Sequence, residues 1–277
     1  MNLRGSTHMK TGRLLGILFL AFAVCASPQA QKPRKKRLLA IGATKGFQHD
    51  SISHALGTLW KLGIETGLWE TYIRTDTQLI TKQDVKKNNM KNLNYFDAVY
   101  FYTTGELDMD DQQKKDLLSF VRDDGKGFIG GHSAADTFYQ WPEYGDMIGA
   151  YFDLHPWHTK VRVNVEDRTF PATRHLPAQF EIYDEIYQFK DYSRDKVRVL
   201  ASIDTASVDL KAKMVKRTDK DFALLWVKNY GKGRVFFNAL GHDLEAYDRP
   251  DMKQLWIESV KWVMGLTQGD ATPLPRK

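Results

Sequence analysis

Histidine side chains recur in this sequence just after short apolar runs. Three such segments stand out by composition: Lys45-Gly46-Phe47-Gln48-His49-Asp50, Gly131-His132-Ser133-Ala134-Ala135-Asp136 with Trp141 close behind, and Leu240-Gly241-His242-Asp243. Imidazole titrates near neutral pH and also binds divalent cations, so grouped histidines can move protons or hold a metal. The carboxylates in the same segments suit either use.

A fourth histidine-rich segment is Phe152-Asp153-Leu154-His155-Pro156-Trp157-His158. Its two histidines, three positions apart, could bind a metal or face a sugar beside Trp157. Zinc takes histidine and carboxylate ligands where cysteine is absent. No compact motif such as HExxH is present, so packing of Trp157 with one exposed histidine remains open.

Asp184 and Glu185 form the strongest carboxylate candidate, because Tyr183 and Tyr187 flank them. Sugars present C–H faces that stack on aromatic rings and hydroxyl groups that need acceptors. The aromatic residues that could serve in this way are Trp141, Trp157, Tyr183 and Tyr187. The alternatives are a solvated acidic pair and aromatic side chains that pack the core.

Ser133 lies in a segment close to the nucleophile elbow G-x-S-x-G, with Ala135 in place of the last glycine. His242 follows later in the chain, as in serine hydrolases. Asp204 is the candidate third member. A serine hydrolase is therefore one alternative function.

Strands and helices alternate along the first half of the chain. The predicted strands are Arg37–Ala43, Trp69–Thr75, Ala98–Tyr102, Gly127–Gly131, Lys160–Val165, Val197–Ile203, Ala223–Val227 and Arg234–Ala239, and the predicted helices are Ser51–Gly63, Asp110–Asp124 and Asp251–Met264. Alternation predicts a parallel sheet between helices, while Tyr230-Gly231-Lys232-Gly233 predicts a late hairpin. Ligands of open α/β sheets bind at the carboxyl ends of the strands, so His49, His132 and His242 should share one cleft.

The N-terminus has the pattern of a signal peptide. Lys10 and Arg13 precede the uncharged run Leu14–Ala26, which is too short to span a bilayer, and small residues allow cleavage after Ala26. We expect a signal peptide over 1–26 and a periplasmic or secreted protein. A retained anchor and a lipoprotein on Cys25 are the alternatives.

Composition narrows the classes of function further. Cys25 is the only cysteine, so the mature chain has no disulfide or thiolate site. The net charge of +6 is concentrated in the leader and in the run Lys32–Arg37, which argues against nucleic-acid binding. We expect a basic linker over 27–37, one domain over 38–267 and a flexible tail over 268–277, with no membrane contact beyond export.

Together these segments resemble the ThuA-like (trehalose-utilisation) family of the class I glutamine amidotransferase-like superfamily. The matching stretches are Gly46–Ile52, Gly130–Asp136, Tyr151–Pro156, Asp184–Tyr187, Gly231–Phe237 and Leu240–His242. The resemblance implies a flavodoxin-like three-layer α/β sandwich, here with an antiparallel β extension, and no glutaminase cysteine. It also implies a role in carbohydrate use, on glycosides oxidised at C3, with His132, Asp136, His155, Glu185 and His242 as site residues.

We therefore predict acid–base chemistry on a keto-sugar or glycoside by isomerisation, elimination or glycosidic cleavage. The predicted catalytic residues are His132, Asp136, Glu185 and His242, and the predicted substrate-binding residues are His49, Asp50, Trp141, His155, Trp157 and Tyr187. A non-catalytic sugar-binding domain is the main alternative. No cofactor is firmly implied. Zinc remains open, although Phe170 replaces a histidine usual in the family and so argues against a metal.

Overall fold

The computed structural model describes residues 1–5, 34–85 and 91–275. The predicted apolar run Leu14–Ala26, its cleavage site and Cys25 lie outside the described residues. The chain divides into two compact units, Met1–Arg34 and Lys35–Lys277. The described residues of the first unit, 1–5 and 34, carry no helix or strand.

The second unit is built on one mixed sheet. Its strands are β1 (Lys36–Ile41), β2 (Trp69–Arg74), β3 (Ala98–Phe101), β4 (Gly127–Gly131), β5 (Tyr151–Val165), β6 (Gln179–Lys190), β7 (Arg198–Ile203), β8 (Ala223–Tyr230) and β9 (Gly233–Asn238). They lie in the order β2-β1-β3-β4-β9-β8-β7-β5-β6. The pairs from β2 to β9 are parallel and those from β9 to β6 antiparallel. The predicted parallel core with an antiparallel extension is confirmed.

Helices lie against both faces of the parallel strands. They are α1 (Ser51–Thr66), α2 (Asp111–Arg122), α3 (Pro142–Ile148), α4 (Glu245–Asp248) and α5 (Pro250–Val263). A Cβ on Gly127 would meet Val263 of α5, and a Cβ on Gly130 would meet Ile148 of α3. Successive residues of a strand point to opposite faces, so α3 and α5 cover opposite sides of β4. The sheet therefore lies between two layers of helices, which is the predicted three-layer arrangement.

Capping and turn residues set several boundaries where the sequence predicts them. Asp110 and Gln113 form a capping box that starts α2, and Gly67 in the left-handed conformation ends α1. Tyr230 pairs with Gly233 across the predicted hairpin between β8 and β9. None of the described helices is long and apolar enough to span a bilayer.

The second half contains more regular structure than the sequence predicts. β5 begins nine residues before the predicted Lys160, because irregular pairing around Leu154 and Trp157 hides the alternation of side chains. The strand β6 and the helix α3 were not predicted. The burial pattern of β6 changes from alternating to continuous at Asp184, so no single period marks it as a strand.

Both predicted chain ends differ in detail from the structure. β1 starts at Lys36, inside the predicted linker 27–37. The predicted flexible tail starts at 268, yet Trp262 Nε1 donates to the Gly269 carbonyl at 3.0 Å and Arg198 pairs with Asp270 at 3.2 Å. Ala271 is buried. The first residues of this segment are therefore packed against the domain.

Candidate functional site

Four side chains from both halves of the sheet converge at the carboxyl ends of the parallel strands. His49 lies in the connection from β1 to α1, His132 directly after β4, His242 after β9, and Glu185 in β6. One potential ligand atom from each lies within 4.8 Å of the others. We call these residues the histidine–glutamate cluster. The expectation that His49 and His132 share one edge of the sheet is confirmed, with ring centroids 5.0 Å apart.

His132 is held in a strained turn. Its φ is +40°, which is unfavourable for a residue with a Cβ and typical of functional sites. Its Nδ1 lies 2.6 Å from the carbonyl oxygen of Ala239, an acceptor, and must therefore donate. The other nitrogen, Nε2, points toward Glu185 and lies 3.5 Å from Oε2.

Glu185 is the acidic centre of the cluster. Its Oε2 lies 3.1 Å from Nδ1 of His242, and its Oε1 lies 3.3 Å from Nδ1 of His155. Burial alone would raise the pKa of Glu185, but the neighbouring His132 and His242 side chains outweigh it. The pKa of Glu185 therefore lies well below its usual range, and the side chain is a carboxylate.

The pKa values of His49 and His242 are shifted in opposite directions. Burial, together with the charges of His132 and His242, lowers the pKa of His49 to about 3, so its ring is neutral near pH 7. Its Nε2 lies 3.4 Å from the hydroxyl of Tyr187. The adjacent Glu185 carboxylate raises the pKa of His242, more than burial lowers it.

The loop that carries His242 is fixed by Asp184, which is fully buried. Its Oδ2 accepts from the Gly241 N–H at 2.7 Å, and its Oδ1 accepts from the Asp243 N–H at 3.0 Å. On the other side, the hydroxyls of Ser51 and Tyr102 each lie 2.9 Å from the Gly241 carbonyl. Burial raises the pKa of Asp184 to about 6, although these backbone N–H groups oppose the rise.

The cluster has the donor set of a divalent-cation site. Within the described chain, His49 Nδ1, His132 Nε2 and His242 Nδ1 are buried nitrogens without a hydrogen-bond partner. Buried polar atoms are rarely left unpaired, because each costs about 1–3 kcal/mol. Three imidazoles and one carboxylate suit zinc and similar cations. The residues present therefore fit a metal ion.

Half-buried Asp136 and exposed aromatic side chains border the cluster. Asp136 accepts a hydrogen bond from the Tyr139 hydroxyl at 2.5 Å, and burial raises the pKa of Asp136. Phe47 stands edge-on to His49, with ring centroids 4.7 Å apart, and is 64% exposed. Tyr183 is also exposed and contacts His158, whose ring packs against His242.

Several predicted site residues do not reach the cluster. The Trp157 indole donates to the Asp209 carbonyl at 3.0 Å, and its ring packs on Phe222. Trp141 stacks on Tyr144 in the core. Both tryptophans therefore follow the packing alternative. Asp50 is exposed and precedes α1 without a capping hydrogen bond from its side chain.

The structure also clarifies the positions of Ser133, the predicted nucleophile, and of Phe170, which replaces a histidine usual in the family. The strained elbow residue is His132, whereas Ser133 is fully buried and its hydroxyl has no hydrogen-bond partner. Phe170 packs against Trp262 of α5, with ring centroids 5.2 Å apart. Trp262 belongs to no part of the cluster, so Phe170 lies against α5 and not among the residues of the cluster.

Sequence reasoning named Asp184 and His158 as candidates, but it did not predict that Asp184 supports the loop of His242 or that His158 pairs with Asp243. It missed Tyr139 at the border. The His158 Nε2 lies 2.6 Å from Asp243 Oδ2. Proximity to the predicted Glu185 and His242 was the available signal for Asp184 and Asp243. Nothing in the spacing indicates that Tyr139 contacts Asp136 rather than the core.

Fold and site together define a flavodoxin-like α/β protein with a histidine–glutamate cluster at the carboxyl ends of its strands. The ThuA family, described as "Trehalose utilisation", matches residues 37–263. The chain belongs to this family. No curated protein matches it.

Two solved structures of ThuA-like proteins share the fold. The protein from Bacteroides uniformis is 22% identical with a TM-score of 0.68, over 86% of this chain and 95% of that chain. The protein from Parabacteroides merdae is 16% identical with a TM-score of 0.62, over 86% of this chain and 93% of that chain. At these identities the likeness concerns the fold alone, which is glutamine amidotransferase-like.

Proposed function

We propose that this protein is an exported, metal-dependent enzyme of carbohydrate utilisation that performs acid–base chemistry on a keto-sugar or glycoside. The observation that carries the proposal is the cluster of His49, His132, His242 and Glu185, whose ligand atoms lie within 4.8 Å of one another. The family description, "Trehalose utilisation", supports a sugar as the substrate class.

The cluster supports metal binding better than it supports unaided proton transfer. Glu185 has a lowered pKa, and such a carboxylate is a weak base. His132 donates from Nδ1 to a backbone carbonyl, so Nε2 is the ring nitrogen available to a metal ion. A divalent cation bound there would polarise a carbonyl or hydroxyl oxygen of the sugar.

Asp136 is the better group for moving a proton. Burial raises its pKa above that of an ordinary aspartate, and the charges of His132, Glu185 and His155 act on it. Its hydrogen bond from Tyr139 orients the carboxyl group. A positioned acid or base of this kind contributes about 10²–10⁴-fold to the rate. Asp136 would take the proton next to a sugar carbonyl, and His155, 44% exposed on its side chain, would contact the substrate.

Aromatic side chains at the border support a sugar as the ligand. Phe47, Tyr139 and Tyr183 are exposed, and each contacts a residue in or next to the cluster. Exposed rings beside carboxylates suit a sugar, because its C–H groups stack on aromatic rings while its hydroxyl groups need hydrogen-bond acceptors. Tyr183 was predicted from the sequence, whereas Phe47 and Tyr139 were not, and the predicted Trp141 and Trp157 are buried.

The direct test uses 3-keto-trehalose as the substrate of the mature protein. Consumption of this keto-disaccharide should be followed by chromatography with EDTA, without EDTA, and after zinc is restored. We expect turnover that is lost with EDTA and returns with zinc. Turnover that ignores EDTA would contradict the metal. Binding by calorimetry without any turnover would favour the non-catalytic sugar-binding alternative.

A further inference from the structure

The strand β2 lies at one edge of the sheet, with β1 on its inner side and no described strand on its outer side. The Arg74 carbonyl accepts a hydrogen bond from the Gly42 N–H at 3.0 Å, so the backbone of Arg74 points inward. Backbone groups alternate between the two sides of a strand, so those of Thr71 and Ile73 point outward. Among the described residues, none bonds to these two N–H groups. Such an edge can pair with a strand of another chain.

An apolar stripe of α1 borders this edge. Trp60 is 51% exposed and Ile64 is 59% exposed, and the two lie one turn apart on the helix. Gly57 continues the stripe and lines one surface cavity together with Ile73 of β2, which is also exposed. Large exposed apolar side chains on adjoining elements mark protein–protein interfaces, in which tryptophan is enriched.

The helix α1 is close enough to the edge to take part in the same contact. It lies over both outer strands, since a Cβ on Gly42 would meet Leu56 and the Leu59 carbonyl accepts from the Thr71 hydroxyl at 3.1 Å. Neighbouring strands lie about 4.8 Å apart, so pairing β2 with the β2 of a second copy would set the two α1 helices about 10 Å apart. Helices pack at about this distance. One partner would therefore satisfy both the strand edge and the apolar stripe.

The charges of β2 favour one register for such a pair. Glu70 and Arg74 lie two positions before and after Tyr72, so all three side chains are on one face of the sheet. In an antiparallel pair centred on Tyr72, Glu70 of each copy would face Arg74 of the other. The outward backbone groups of Thr71 and Ile73 would exchange hydrogen bonds in the same register. A pair centred on Glu70 would instead oppose two carboxylates.

Both charged groups are already at the edge in the single chain. The Arg74 guanidinium donates to the outward Ile73 carbonyl at 2.6 Å, and Glu70 accepts from the Tyr72 hydroxyl at 3.1 Å. Within residues 34–85 and 91–275, neither Glu70 nor Arg74 forms an ion pair. Arg74 would exchange its own carbonyl for the carboxylate of a second copy.

We propose that this protein forms a dimer in which two copies of β2 pair antiparallel about a two-fold axis at Tyr72. The two sheets would become one continuous sheet, and the Trp60 and Ile64 stripes of the two α1 helices would pack against each other. A two-fold contact uses the same surface on both copies, so it gives a dimer and not a filament. The proposal does not depend on the proposed function.

The first test is sedimentation velocity of the mature protein over a dilution series, with charge-reversal variants. The unchanged protein should sediment as a dimer. Glu70→Arg and Arg74→Glu should each raise the dimer Kd at least about tenfold, because each replaces two attractive cross-strand pairs with two repulsive ones. The double variant Glu70→Arg/Arg74→Glu restores opposite charges in the same register. Its Kd should return to within about threefold of the original value.

A second test interrupts the apolar and backbone contacts. Ile64→Glu should raise the dimer Kd at least about 30-fold, the effect of losing one strong interface contact. Ile73→Pro removes an outward N–H, which edge strands tolerate, and should weaken the dimer similarly. Leu266→Glu, at an exposed leucine after α5, is the control and should leave the Kd unchanged. Circular dichroism should show that every variant is folded.

Four results would each overturn the proposal. The first is a monomer at every concentration up to about 100 µM, where interfaces of standard size are associated. The second is a dimer that Ile64→Glu and Ile73→Pro, both folded, leave intact. The third is a double charge variant that stays as weak as the single ones. The fourth is a series of species that grows with concentration beyond the dimer.

Discussion

The buried carboxylate of Asp184 accepts a hydrogen bond from the backbone N–H of Gly241 at 2.7 Å, which ties the loop bearing His242 to the strand bearing Glu185. The same carboxylate also accepts from the N–H groups of Glu185 and Asp243. Both oxygens are used as acceptors. The spacing between two cluster residues therefore depends on a third side chain that contributes no ligand atom.

Asp184→Asn should disrupt this support, because the amide NH₂ would oppose a backbone N–H on one side. We expect a loss of about 1–3 kcal/mol in the free energy of unfolding, the cost of an unpaired buried group. Zinc affinity should fall about 10–100-fold, as for other groups that orient metal ligands. Denaturant unfolding and zinc titration measure the two effects. Asp108→Asn, with a side chain 83% exposed, is the control and should change neither.

Replacing a cluster residue should remove zinc binding itself. His132→Gln and Glu185→Gln are each expected to weaken zinc by at least about 100-fold, beyond the effect of an orienting group. His175→Gln is the control, because His175 is an exposed histidine outside the cluster that bonds to the Asp251 carbonyl. Stoichiometric zinc, measured by elemental analysis in both cluster variants, would contradict the assigned ligands.

Ser133→Ala should leave turnover unchanged. The Ser133 hydroxyl is buried without a hydrogen-bond partner, so its removal leaves no other group unpaired. The free energy of unfolding should stay the same or rise by up to about 1 kcal/mol. A loss of turnover with normal stability would restore the serine hydrolase as the preferred function.

Acid should destabilise the metal-free protein through His49. Its pKa is about 3 in the folded state against 6.5 for an ordinary histidine, so the unfolded chain binds an extra proton between these values. The contribution of His49 to the free energy of unfolding is complete above pH 6.5, and it falls by about 1.4 kcal/mol for each pH unit below that value. Unfolding in EDTA from pH 7 to 4 should show this slope, and His49→Gln should reduce it by about one proton. Equal slopes would contradict a neutral buried His49.

Export is testable without regard to the chemistry. Lys10, Arg13 and the run to Ala26 predict a mature N-terminus near Ser27 in periplasmic fractions. N-terminal sequencing of the fractionated protein would show it. Unprocessed protein confined to the cytosol would contradict the prediction, and processing at Cys25 would indicate the lipoprotein instead.

The parallel strands and the gathering of histidines could be predicted because they depend on local patterns. Continuous apolar runs mark buried strands such as Ala98–Phe101, and the carboxyl-end rule then brings His49 and His132 together. Side-chain direction in the second half could not be predicted. Trp141 and Trp157 have the residue type of a sugar platform, but only tertiary packing decides that they face the core.

The roles within the cluster were also beyond the sequence. Residue type alone cannot tell a carboxylate with a raised pKa from one with a lowered pKa. Asp136 and Glu185 differ because three imidazoles surround only Glu185. The strain at His132 likewise depends on how β4 ends. The comparison with G-x-S-x-G placed the strained residue at Ser133, one position after the residue that has the positive φ.

The cluster draws its members from the parallel strands and from the antiparallel extension, so a cation held by all of them would act as a reversible cross-link within one chain. Cross-links that close long loops restrict the unfolded ensemble, and a ligand of the native state raises stability by about 2.7 kcal/mol at 100 times its Kd. The melting temperature would then report how fully the cation occupies the cluster. A series of divalent cations could be ranked on this protein by thermal unfolding alone, before any substrate is known.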